Sequence, residues 1–277
     1  MKNRIDLMIN EDCNIDCLFC YHHGFEDKSK YDFSEIKIKS TLFFWKTKWF
    51  KELYISGWEP TISKNFEYSL KVAQDYWYNN VKIMTNWLKF SDIEYCKKLK
   101  KLGVTNLAMS MHWYNKETFE FHANAKWIYE KFMKGIINAN NFFDIDVNIV
   151  VTKQNIKDIN KHAQLLLTLG LKRLHLQHVV PNSEENLQLL PSNEDISIYI
   201  NDFCKKFENK LDFTLEFFPY CLIKDHTHLW KFSFENDFVT NNPSMFDNWS
   251  DWIFKNKILK DKCIWCIEKD SCNWFWV

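Results

Sequence analysis

Six short runs rich in β-branched and large apolar residues, each followed by a longer amphipathic segment, constrain this chain more than any other feature. The runs are residues 5–9, 52–56, 81–85, 106–111, 146–151 and 173–178. Helical periodicity fills residues 34–49, 65–78, 92–102, 116–138 and 156–169, with Ser91-Asp92 and Asn155 as caps. Parallel strands cannot be joined by tight hairpins, so strand and helix repeated in this way mean a parallel sheet with right-handed crossovers. After about residue 182 the pattern changes: 193–211 reads as a further helix, 213–218 as a strand, and the remainder as irregular, aromatic and cysteine-rich. We therefore expect an α/β unit over 1–212 and a small extension over 213–277.

Cysteines concentrate at the two ends. Cys13, Cys17 and Cys20 stand in CNIDCLFCYHH, a C-x3-C-x2-C spacing that supplies three thiolates. A structural zinc site takes four protein ligands, which His22 or His23 would have to complete. Three soft thiolates suit an iron–sulfur cube instead, with one iron left free for an outside ligand. At the other end Cys263, Cys266 and Cys272 give C-x2-C-x5-C, and Cys221 precedes them in FFPYCLI. Four thiolates there fit one further [4Fe-4S] cluster or a zinc ion. Cys96 and Cys204 fall on amphipathic helices, where a thiol packs as a small apolar group.

The N-terminal spacing, with aromatic Phe19 before the third cysteine, resembles the signature of the radical S-adenosylmethionine (SAM) enzymes. In SGWEPT, which follows the second strand, Gly57, Glu59 and Pro60 match that family's GGE-P motif and Trp58 does not. Thr85 and Asn86 match its TNG turn. Ser110 on the fourth strand and Asn148 on the fifth correspond more loosely to residues that approach SAM. The resemblance covers most of residues 5–180 and implies a partial (β/α)6 barrel, a SAM-binding [4Fe-4S] cluster and reductive cleavage of SAM to a 5′-deoxyadenosyl radical that abstracts hydrogen. It places Phe19, Gly57, Trp58, Glu59, Pro60, Thr85, Ser110 and Asn148 at the cofactor and Cys13, Cys17 and Cys20 on the metal. The C-terminal cysteines are similar to twitch or SPASM auxiliary-cluster segments, with Cys221 as fourth ligand. A flavodoxin or ferredoxin electron donor is implied.

Composition is unusual in one respect. A chain of this length should hold roughly 19 glycines, yet it has 5, against 13 tryptophans. Several tryptophans stand where a turn calls for glycine: Trp58, Trp87, Trp113, Trp265 and Trp274. The shortage predicts that the source reads UGA as glycine, the alternative being a tryptophan-rich core.

Net charge is zero, which gives no electrostatic footprint for nucleic acid or an anionic membrane. With no apolar run of spanning length and no signal-like N-terminus, the expected location is cytoplasmic. The substrate is open between a peptide, as in maturation enzymes, and a small molecule, as in a relative of the molybdenum-cofactor GTP cyclase. A zinc- or Fe–S-binding scaffold with a degenerate barrel is the non-enzymatic alternative.

Overall fold

The structure, a computed structural model, describes residues 3–20, 32–181, 184–231, 238–240, 257–258, 263–264, 266, 272 and 275–276. His22, His23, Trp265 and Trp274 lie outside the described residues, as does most of 241–277.

Strand and helix alternate as the apolar spacing requires: β1 (Arg4–Met8), α1 (Glu35–Thr47), β2 (Glu52–Ser56), α2 (Phe66–Asp75), β3 (Asn80–Thr85), α3 (Ile93–Lys101), β4 (Asn106–Ser110). There follow α4 (Lys116–His122), α5 (Tyr129–Asn140), β5 (Asp144–Val151), α6 (Ile159–Thr168) and β6 (Arg173–His178). After a helical turn α7 (Glu184–Leu187), the helical stretch from α8 (Asn193–Asp195) to α9 (Asn201–Phe207) leads into β7 (Asp212–Glu216), β8 (Trp230–Lys231) and β9 (Phe238–Thr240). Between α8 and α9 the helix widens to π-type over Ile196–Ile200. The sheet runs β8-β7-β6-β5-β4-β3-β2-β1-β9, and every neighbouring pair is parallel. This is the open, partial barrel that strand–helix alternation predicts.

One face of each strand meets the helices. Ile5 and Leu7, Leu53 and Ile55, Val81 and Ile83, Leu107 and Met109, Val147 and Ile149, and Leu174 and Leu176 are buried there, the period-2 pattern of a sheet covered on that side. The opposite face is polar and concave. Lys82 of β3 pairs with Asp146 of β5, crossing β4, where Asp146 faces the small Ala108.

Local chemistry sets the helix starts. Ser34 accepts from Lys37 N, Asp92 from Glu94 N and Asn115 from Thr118 N, each filling one orphan amide of a first turn. Asn155 caps nothing with its side chain. Its carboxamide instead accepts from Thr152 N and donates to the carbonyls of His112 and Val150, stitching β4 to β5. The single helix expected over 116–138 is two, α4 and α5, because Asn124 (φ 48°) and Trp127 (φ 65°) turn the backbone left-handed between them.

Five helices end alike. Past α1, α2, α3, α4 and α6, the amides of residues 49, 77, 103, 124 and 170 donate to the carbonyls of Lys46, Gln74, Lys100, Phe121 and Leu167. The next amides, of Phe50, Tyr78, Val104, Ala125 and Leu171, reach back to Trp45, Ala73, Leu99, Glu120 and Leu166. This pair of bonds is the Schellman closure, which needs a left-handed residue at its centre.

Candidate active site

The loop that follows β1 carries Cys13, Cys17 and Cys20 across the C-terminal edge of the sheet, where parallel α/β folds assemble their sites. Three neighbouring segments hold it. Asn10 donates its carboxamide to the carbonyls of Asp12 (3.2 Å) and Glu59 (3.0 Å), and Glu59 N donates to Asp12 O at 3.0 Å. Asn86, just past β3, donates to Asn14 Oδ1 at 2.6 Å and to Cys13 Sγ at 3.7 Å. Leu18 N donates to His122 O at 2.9 Å, while Asn124 donates to Asp16 at 3.2 Å.

Gly57 permits this approach. Its φ is 134°, and a Cβ there would stand 2.3 Å from Asn10 Oδ1 and 2.7 Å from Asn10 O, distances no side chain tolerates. Trp58 follows, half-buried, its amide 3.4 Å from Asn10 O. Glu59 is fully buried. Its Oε1 accepts from Thr61 N (3.1 Å), Thr61 Oγ1 and Thr85 Oγ1 (2.9 Å), and its Oε2 from Asn86 N (2.6 Å). Burial pushes its carboxyl up, opposed by these hydrogen bonds from Asn86, Thr61 and Thr85. Pro60 opens the short helical turn after it.

Burial raises the Cys13 thiol to about 11, and the charges of Glu59 and Cys20 add to the effect. Cys17 is raised too, by burial first and then by Cys20 and Cys13. The three thiols therefore sense one another. Among the described residues, no three His, Cys, Asp or Glu side chains converge closely enough to share a single metal ion. Three soft thiolate donors on one loop are the ligand set that iron–sulfur clusters take.

Phe19 turns inward against His112 (centroids 4.3 Å, edge-on) and Trp113 (5.1 Å). His112 accepts from Val150 N at Nδ1, which leaves its proton on Nε2. Burial, helped by the charges of His162 and His122, lowers it to about 3, so it is neutral at pH 7. Ser110 and Asn148 are register partners on β4 and β5, both half-buried, side by side on the concave face.

The rest of that face escaped sequence reasoning. Ser56 donates to Asp6 at 2.5 Å, and Arg4 and Lys82 flank the Tyr54 ring at 5.7 and 5.6 Å. Arg173 meets Asp146 at 2.7 Å, Gln177 donates to Glu216 at 2.8 Å, and His175 contacts Thr214 at 2.8 Å. Burial pushes Asp6 up to about 6, against the Ser56 hydrogen bond and the Arg4 charge. Polar residues alternating with apolar ones were the available signal; their partners lie on other strands.

At the second cysteine group, Tyr220 N donates to Cys272 Sγ at 3.4 Å, which sets Cys272 beside the turn Tyr220–Leu222 that holds Cys221. Cys266 N donates to Cys263 O at 3.1 Å.

Comparison with known proteins agrees with this arrangement. The family model of the radical SAM superfamily matches residues 7–166. A probable GTP 3′,8-cyclase of Saccharolobus islandicus is 26% identical over 171 residues, 61% of this chain and 54% of that protein. One from Sulfurisphaera tokodaii is 25% identical over 61% of this chain and 53% of its own. The chain thus spans about half the length of the curated relatives it matches. Among solved structures, Streptococcus suis SuiB bound to S-adenosylmethionine superposes with a TM-score of 0.68 at 14% identity, over 99% of this chain and 72% of that one. Native anSMEcpe with bound AdoMet and Cp18Cys peptide gives 0.64 at 14% identity, over 76% and 62%.

Proposed function

The chain belongs to the radical SAM superfamily, and from that premise we propose that Cys13, Cys17 and Cys20 hold a [4Fe-4S] cluster beside which SAM binds. The observation that carries this is the fastening of the cysteine loop to the Gly57–Pro60 turn and to Asn86, which joins the three thiols and the buried Glu59 in one unit. Held by these cysteines, the cluster would supply the electron for reductive cleavage of SAM.

The chain's own residues bind and orient. Gly57, Trp58, Glu59, Pro60, Thr85, Ser110 and Asn148 would hold SAM, and Phe19 seals the loop against His112. Asn86, donating to Cys13 Sγ, steadies a thiolate and favours its charged form. Loading displaces protons from thiols that burial keeps protonated.

The concave face below the site would receive the substrate. Its cations lie beside carboxylates, Lys82 and Arg173 beside Asp146 and Arg4 near Asp6. Peptide-bound anSMEcpe, whose fold this chain shares, supports the first reading, modification of a peptide or protein. The second reading, a small-molecule substrate, has the GTP 3′,8-cyclase relatives in its favour. Cys221, Cys263, Cys266 and Cys272 would hold an auxiliary [4Fe-4S] cluster, and a flavodoxin or ferredoxin would supply electrons.

Anaerobic reconstitution with iron, sulfide and SAM tests the core reading. About eight irons per chain and dithionite-dependent release of 5′-deoxyadenosine, abolished by Cys13→Ala, are expected. Tightly bound zinc with no SAM cleavage would reject it.

A further inference from the structure

Among the described residues, six that are not glycine have positive φ, and four of the six are tryptophan: Trp49 (66°), Trp77 (61°), Trp87 (73°) and Trp127 (65°). Tryptophan has no affinity for this region. A Cβ crowds the following carbonyl there, which is why glycine, and after it asparagine, fills such positions. At the centre of the five identical helix closures stand Trp49, Trp77, Gly103, Asn124 and Gly170. Hydrogen bonding and backbone are the same in all five. Three carry the residues this geometry selects, and two carry an indole.

The three exposed indoles gain little that would offset the strain. Trp49, Trp77 and Trp127 are 83%, 78% and 79% exposed, and among the described residues the ring contact they make is the Lys116 ammonium 5.3 Å over Trp127. Trp87 is fully buried, yet its indole N–H meets no hydrogen-bond acceptor among the described residues. Helix α5 packs so closely on the Trp87 turn that a Cβ at Gly135 would lie 2.5 Å from Trp87 O.

Other tryptophans behave as the residue should. Trp45 sits inside α1 with its ring 4.9 Å from Phe50, and Trp230 has a φ of −75° and donates from Nε1 to Phe218 O at 3.1 Å. Trp113 stacks on His122 at 4.1 Å, although its indole N–H, like that of Trp87, meets no acceptor among the described residues. The two kinds of site separate by backbone alone.

We infer that the working protein carries glycine at positions 49, 77, 87 and 127, encoded by UGA and read as glycine in the source cell, while 45 and 230 are true tryptophans. Trp58 and Trp113, which the sequence also suggested as glycines, are not among the positive-φ residues, so the backbone gives no ground for glycine at either. None of this depends on what the site binds.

Peptide sequencing by mass spectrometry of the protein purified from its source tests the assignment. Glycine at 49, 77, 87 and 127, with tryptophan at 45 and 230, is expected; tryptophan at 49 or 77 overturns it. A second measurement compares the chain as written with a variant carrying Trp49→Gly, Trp77→Gly and Trp127→Gly, the three exposed sites, both made in a host that reads UGG alone as tryptophan. The variant should melt higher, by roughly 5–10 °C. Equal or lower melting would count against glycine at these positions.

Discussion

Asp6 shows how a single residue reports on the concave face. Its ordinary value is 3.8, and burial beside Ser56 and Arg4 raises it to about 6. Between those values the folded chain holds a proton that the unfolded chain has released. The associated stability is complete below about pH 4 and is lost as pH rises through about 6, a swing on the order of 3 kcal/mol. Urea unfolding across this range should show that decline, and Asp6→Asn should remove it. Glu59 was legible from its motif, and its burial was not: the four donors that close around it come from Thr61, Thr85 and Asn86, and two of those residues lie on a different strand–helix unit. Phe19, read from its place before the third cysteine, packs on His112, a partner about ninety residues away that no local pattern reveals.

At the scale of elements, strands were the most readable part. Alternation placed all six within a residue or two, because each must bury one face against a helix. The α4–α5 break was missed for a definite reason: the turn between them is made by Asn124 and Trp127, and tryptophan carries no turn signal. Helix ends offer a direct stability test. Gly103→Ala and Gly170→Ala should each destabilise, since both sites have positive φ and a Cβ at 103 would also stand 3.2 Å from the Gln74 side chain. Trp49→Gly and Trp77→Gly should each stabilise by about 1 kcal/mol. Chemical denaturation of the four single variants reads the signs; a loss in either tryptophan variant would mean that its indole contributes packing after all.

For the whole molecule, the parallel sheet was legible and its closing edges were not. The short strands β8 and β9 flank it without any hydrophobic run to announce them. The expected boundary at residue 212 falls where β7 begins, and β7 pairs with β6 along its full length. The two cysteine groups are far apart in sequence and should load separately. Cys263→Ser combined with Cys266→Ser should lower reconstituted iron from about eight to about four per chain and leave SAM cleavage at the N-terminal cluster measurable. Loss of all iron would instead mean that the two groups share one centre.

The pairing of β9 with β1 also sets an order of events during synthesis. The strand that launches the cysteine loop is the first to leave the ribosome, and its outer neighbour is the last strand of the sheet to do so. Until residues 238–240 are in place β1 keeps one unpaired edge, so the sheet beside the first three cysteines is closed by a segment more than two hundred residues away in sequence, and it closes late in folding.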